Sequence, residues 1–116
     1  MLNYLSMLDD YDLRKINRFE KGDLIIDTAA VSDSDQPYET GIRCPKYNEG
    51  RWVIVEMYES KEEAQDGHKK WVRTMTKNQL PKTLKDVGTS PEARIIDAAT
   101  GNDSWRLMRL EEKEKK

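Results

Sequence analysis

Almost everything that announces a mechanism is missing from this chain. Its 116 residues include one cysteine, Cys44, so no internal disulfide can form, which suits a reducing cytoplasm. There is one histidine, His68. Cys44 and His68 together supply two of the four ligands of a usual zinc site, so no metal is expected, and nothing in the sequence calls for another cofactor. No apolar run approaches the roughly 20 residues needed to cross a bilayer, and no membrane association is expected. The opening MLNYLSMLDDYD turns acidic at once and lacks the basic flank and apolar run of a secretory signal. Phosphate loops, dinucleotide fingerprints and serine elbows have no counterpart in the sequence. Charge of either sign is not in excess: 20 Lys and Arg stand against 22 Asp and Glu, a net charge of −2. That balance argues against general nucleic-acid binding, which needs a concentrated positive surface, although a local patch remains open.

What the chain does have is charge on 36% of its residues, so each apolar face that survives is informative. Its length fits one domain, taken here as residues 1–104, followed by a charged tail, 105–116, ending in EEKEKK. Leu2, Leu5 and Leu8 recur at helical spacing and suggest a short N-terminal helix. Leu24 to Val31 is a β-branched run that reads as a strand, with Arg14 to Glu20 as its partner across Lys21-Gly22. Ser32 to Pro37 is a loop of self-capping polar residues. Tyr38, Thr40, Ile42 and Cys44 then alternate with polar residues as a half-buried strand, and Pro45 to Gly50 makes a long hairpin connection.

Arg51 to Tyr58 is the strongest strand. It is apolar on both faces, with Val53, Val55 and Met57 on one side and Trp52, Ile54, Glu56 and Tyr58 on the other, as befits a central strand or one covered by a partner. A helix over about residues 60–77 follows. Ser60 and Glu63 form a capping box, and Ala64, His68, Trp71, Val72 and Met75 share one face. That face should cover Val53, Val55 and Met57. Gly67 lies inside this helix at a cost of about 1 kcal/mol against alanine, which a close approach to the sheet would explain. A second short helix begins at Ser90-Pro91 and ends at Gly101. Trp105, Leu107 and Met108 form a last apolar cluster. The fold class is α+β: a three- or four-stranded, mainly antiparallel sheet with one long helix on one face and short terminal helices.

Each residue with chemical potential also has a plainer reading. His68 titrates near neutrality, but it sits on the apolar stripe beside Trp71, where a structural histidine held by a backbone carbonyl or a carboxylate is the ordinary case. Cys44 continues the apolar face of its strand and reads as a small core residue. Asp33-Ser34-Asp35 opens like a calcium loop, but Pro37 takes a ligand position and the required glycine is absent. Asp27 and Glu56 could form a catalytic pair, yet carboxylates on strands more commonly pair with Lys or Arg. The least ordinary feature is the face formed by Trp52, Ile54 and Tyr58, extended by Tyr38. It is either an interface for another protein or a surface covered by the chain's own terminal helices.

The steps Pro37-Tyr38-Glu39-Thr40, Tyr47-Asn48-Glu49-Gly50, Val53-Ile54-Val55-Glu56 and Gly67-His68-Lys69-Lys70-Trp71-Val72 resemble the P-[YF]-E-T, Y-N-x-G, V-I-V-E and G-H-x-x-W-V motifs of a family of short, mostly uncharacterised proteins of tailed bacteriophages and prophages. The resemblance spans roughly Lys21 to Ala99. It implies a non-enzymatic structural or accessory protein that docks on virion proteins, at the capsid surface or the head–tail region, or on itself. The molecule would then be found in the virion or the host cytoplasm. An alternative is a host-takeover or anti-defence protein that binds a host protein. A small enzyme using His68 is a third reading. The motifs are structural, so the resemblance carries no catalytic residue with it.

Overall fold

A computed structural model of the chain describes residues 14–31 and 35–111. Within them the fold is α+β, and its main sheet is a four-stranded antiparallel meander. Strand β1, Lys15–Lys21, pairs with β2, Leu24–Ala30, through a two-residue turn. Gly22 takes φ of +59° at the first turn position, where side-chain-bearing residues are strained. The next two strands are β3, Tyr38–Arg43, and β4, Val53–Tyr58. The loop from β2 to β3 is closed by the Val31 amide on the Pro37 carbonyl. The expected N-terminal helix, the centre of this loop and the last five residues lie outside the described residues.

Helix α1, Lys61–Met75, crosses the sheet and packs on all four strands. It starts where the sequence expects, with Ser60 Oγ accepting from the Glu63 amide. The reciprocal bond differs by one residue: the Glu63 carboxylate accepts from the Glu59 amide rather than that of Ser60. Beneath α1 lies a core of Ile26, Ile42, Cys44, Tyr47, Val53, Val55, Met75 and Leu84, with Phe19, Trp71 and Val72 packed against it. Ala64 and His68 are buried along the same helix face.

A bulge in β4 redistributes the two faces of the sheet. Thr40 pairs with Glu56, but the next residue, Gly41, pairs with Ile54, so Val55 is an extra residue opposite no partner. One extra residue reverses the alternation that follows it. Val53 and Val55 are in the core as the sequence pattern suggests, but Glu56 and Tyr58 also turn under α1. Tyr38, the cross-strand partner of Tyr58, goes with them. Met57, expected beneath the helix, emerges on the opposite face with Trp52 and Ile54. Tyr58 is therefore not part of an exposed aromatic face, and Tyr38 lies on the helix side of the sheet.

The polypeptide after α1 returns along the outer edge of β4. Strand β5, Thr83–Lys85, pairs with β6, Leu107–Arg109, as a separate two-stranded sheet. The Val87 amide donates to the Ile54 carbonyl, which ties the following loop to the β4 bulge. Helix α2, Pro91–Thr100, has Ser90 as its cap and Pro91 in its first turn, and ends at Gly101 with φ of +76°. The segment expected to be a tail from residue 105 is instead part of the domain as far as Glu111. Arg106 is buried, its guanidinium gripping Asp97 of α2 and the carbonyls of Asp86 and Gly88. Leu107, expected in an apolar cluster, is exposed.

Gly67 is explained by what lies under it. A Cβ at this position would stand 2.3 Å from the Tyr58 ring. The ring cannot swing away, because its hydroxyl is bonded to Thr40 and Glu56. Gly67→Ala should lower the melting temperature in spite of alanine's better helix propensity, with a net loss of about 1–3 kcal/mol from overpacking. A thermal or urea denaturation series that found the variant more stable would show that α1 does not pack this closely on Tyr58.

Candidate functional site

Two polar systems lie on opposite faces of the sheet, and only one is open. The closed system runs under α1. Thr28 and Thr40 face each other across β2 and β3, on positions where the surrounding pattern is apolar. His68 Nδ1 lies 2.8 Å from Thr28 Oγ1, Thr28 Oγ1 2.6 Å from Thr40 Oγ1, and Thr40 Oγ1 2.9 Å from the Tyr58 hydroxyl. Tyr58 in turn donates to Glu56 Oε1 at 3.1 Å. Lys70 Nζ and Trp71 Nε1 donate to the same oxygen at 2.7 and 2.8 Å. Burial pushes the Glu56 carboxyl up, but the bonds from Lys70, Trp71 and Tyr58 and the charge of Lys70 outweigh it and hold it below the usual carboxylate range.

An ionised Glu56 fixes the direction of the whole chain. Four contacts join His68, Thr28, Thr40, Tyr58 and Glu56, and the three hydroxyls supply three hydrogens. Tyr58 must give its hydrogen to the carboxylate, Thr40 to Tyr58, and Thr28 to Thr40. The fourth hydrogen can come only from His68 Nδ1. The neutral histidine is therefore the Nδ1–H tautomer, and its anchor is a threonine hydroxyl rather than the carbonyl or carboxylate expected. His68 is 3% exposed and forms part of the wall of a shallow groove with Asn17, Phe19, Val72 and Arg73. Burial lowers its pKa, opposed by the charge of Asp27.

Asp27 and Glu56 do not form a pair. Asp27 is opposite Gly41 and lines the outer face, while Glu56 is beneath α1. Cys44 is buried in the apolar cluster. Among the described residues no group of three or more His, Cys, Asp or Glu side chains is placed to hold a metal ion.

The open system is the outer face. Here a cavity of about 600 Å³ separates β3 and β4 from α2. Ile54, Met57, Glu39 and Val31 form its floor, the Asp86–Ser90 loop one end, and Pro91, Ala93, Ile96 and Trp105 its far wall. A second cavity of about 260 Å³ adjoins it over Asp27, Ala29 and Gly41, rimmed by Arg14 and Trp52. The Trp52 ring rests on Gly41, where an added Cβ would come within 3.2 Å of it. Glu39, Ile54 and Val31 belong to both cavities, so they form one continuous groove. Of the expected interface residues, Trp52 and Ile54 line it, whereas Tyr38 and Tyr58 do not. Met57, Glu39 and Ile96 were missed as groove residues. Of the wall residues on α2, only Ala93 and Ile96 are three apart, a spacing that puts two side chains on one helix face.

The closed chain makes a prediction about pH and stability. A histidine whose folded pKa lies below its unfolded value of 6.5 stabilises the fold fully above that pH and loses the contribution as pH falls through it. Glu56 behaves similarly below its unfolded value of 4.5. Stability should therefore decline below about pH 6.5 and again below about pH 4.5, with the first decline missing in His68→Gln. Thr28→Val should cost about 1–3 kcal/mol, because it strands the His68 Nδ1 hydrogen and leaves the Thr40 oxygen without its donor. A long-range nitrogen NMR spectrum at neutral pH should show His68 protonated on Nδ1; protonation on Nε2 would refute the directed chain.

Comparison of the chain with family models, with curated proteins and with solved structures finds no match in any of the three, so its function has to be read from the groove and the residues that line it.

Proposed function

We propose that this chain is a non-enzymatic docking protein whose outer sheet face receives another protein. The carrying observation is where its exposed apolar side chains lie. Of the five large apolar side chains that are exposed among the described residues, Val31, Trp52 and Ile96 gather in the groove, whereas Ile95 and Leu107 stand apart from it. Leaving that remaining surface in water forgoes roughly 0.5–1 kcal/mol for each, the exposed share of a full side-chain burial, which a bound partner recovers. Support for the non-enzymatic reading comes from His68, which is 3% exposed and has its Nδ1 engaged by Thr28. No helix among the described residues is long and apolar enough to cross a membrane.

The sequence resemblance to tailed-phage proteins gives this docking a setting. In it the protein is a structural or accessory part of the particle, contacting a capsid or head–tail protein. The same groove would also serve a phage protein that seizes a host protein. Mass spectrometry of purified particles separates the two: a virion component is present at fixed stoichiometry, and a host-directed binder is absent.

Docking itself is tested by reversing the character of the groove. Trp52→Glu and Ile96→Glu should each abolish co-purification of the partner while leaving the melting temperature of the isolated protein within a few degrees of the native value. A charge on either residue is solvated in the free protein and trapped in the complex. If Trp52→Glu unfolded the isolated protein, Trp52 would be core and the docking reading would fail.

A further inference from the structure

The groove is apolar along its floor, but its charges are all of one sign where it is widest. Glu39, Asp86 and Glu92 line the larger cavity, and no lysine or arginine does. Asp86 accepts from the Gly88 amide, and Arg106, whose charge it feels from outside the cavity, makes its hydrogen bonds to Asp97 and to the Asp86 and Gly88 carbonyls instead. The Glu39 carboxylate has no hydrogen bond or ion pair with any described residue, yet it sits at the junction of both cavities. Burial raises its pKa, and the charges of Asp86 and Asp27 raise it further. An unpaired carboxylate held against two others beside Ile54 and Met57 is destabilising in the free protein. A cation brought into the groove relieves that repulsion, whereas an anion adds to it.

We propose that the occupant of the groove is a protein segment that places an arginine or lysine side chain between Glu39 and Asp86 and an apolar neighbour on Ile54, Met57 and Ile96. This deepens the docking reading and rests on it. The charge pattern also argues against the nearest alternative occupant within the chain. Residues 1–13 bring Leu2, Leu5 and Leu8 but also Asp9, Asp10 and Asp12, with no lysine or arginine. In the groove they would set more negative charge against Glu39. An acidic peptide or a nucleic-acid backbone is excluded by the same repulsion.

The test uses the full chain, ¹⁵N-labelled, titrated with three acetylated and amidated tripeptides: Leu-Arg-Leu, Leu-Gln-Leu and Leu-Glu-Leu. The arginine peptide should shift the amides of Glu39, Ile54, Gly88 and Ile96 and bind at least about tenfold more tightly than the glutamine peptide, as expected for a charge-assisted contact. That advantage should disappear in Glu39→Gln and Asp86→Asn and shrink as salt is raised. Glu39→Gln will fold, because a carboxylate whose pKa is raised weakens the fold as pH rises through that value, and the substitution removes this cost. Equal binding of the arginine and glutamine peptides would overturn the charge selection while leaving the docking groove intact. Preference for the glutamate peptide, or no shift of the groove amides with the arginine peptide, would also overturn it. Sedimentation showing a dimer whose groove amides shift with protein concentration would assign the groove to a second copy instead.

Discussion

The extra residue in β4 is the constraint on which the rest of the molecule depends. Because Val55 has no partner opposite it, the strand changes face between Ile54 and Glu56. Without that change, Tyr58 would stand in solvent and Met57 would meet α1. With it, Tyr58 reaches Thr40 beneath the helix, Gly67 is required above the ring, and Glu56 is delivered to Lys70 and Trp71. Ile54 and Met57 are left side by side on the outer face, three residues apart in sequence. A regular strand would have spread them over two faces. The floor of the groove and the polar chain in the core therefore have one origin.

The two polar systems illustrate opposite uses of buried charge. Under α1 each donor has an acceptor and the terminal carboxylate gathers three hydrogen bonds, so the arrangement is directed and closed. Such a network favours one packing of helix on sheet over its neighbours, since a shift by one residue would leave hydroxyls without partners. On the outer face Glu39 has no such partner, and its destabilisation is retained rather than removed. Closed networks of this kind hold a fold in one arrangement, and an unsatisfied group beside an apolar floor leaves interaction energy available to a ligand.

The sequence was legible where a local rule decides the outcome. Ser60 and Ser90 cap their helices, and Gly101 ends the second, because orphan amides and a left-handed φ select those residue types. The α+β class followed from one strong helix after alternating strands. The bulge was not legible, because β4 is apolar on both faces and a change of phase leaves no mark on such a pattern. Gly67 carried the only trace, as a residue too small for an ordinary helix position. Tyr47 was read only as part of a long hairpin connection, yet it is fully buried and its hydroxyl bonds the Pro81 carbonyl, with burial pushing its pKa to about 12. Strands β5 and β6 are three residues each, too short for any period to show. Arg106 sits in a charged run that reads as a solvated tail, and only its tertiary partners reveal it as buried.

Arg106 also sets an order of events. The main sheet and α1 are complete once residues 15–75 are available. The far wall of the groove is not, since α2 is held by Arg106 through Asp97, and the Asp86–Gly88 loop by the same guanidinium. During synthesis the N-terminal part of a domain emerges first. The nascent chain thus has every strand of the main sheet and α1 before the rest of the core, Leu84 included, and the far wall of the groove is fixed only when the β6 segment has been made. A chain that stopped short of Arg106 would keep the floor of the groove and lose the clamp on its far wall.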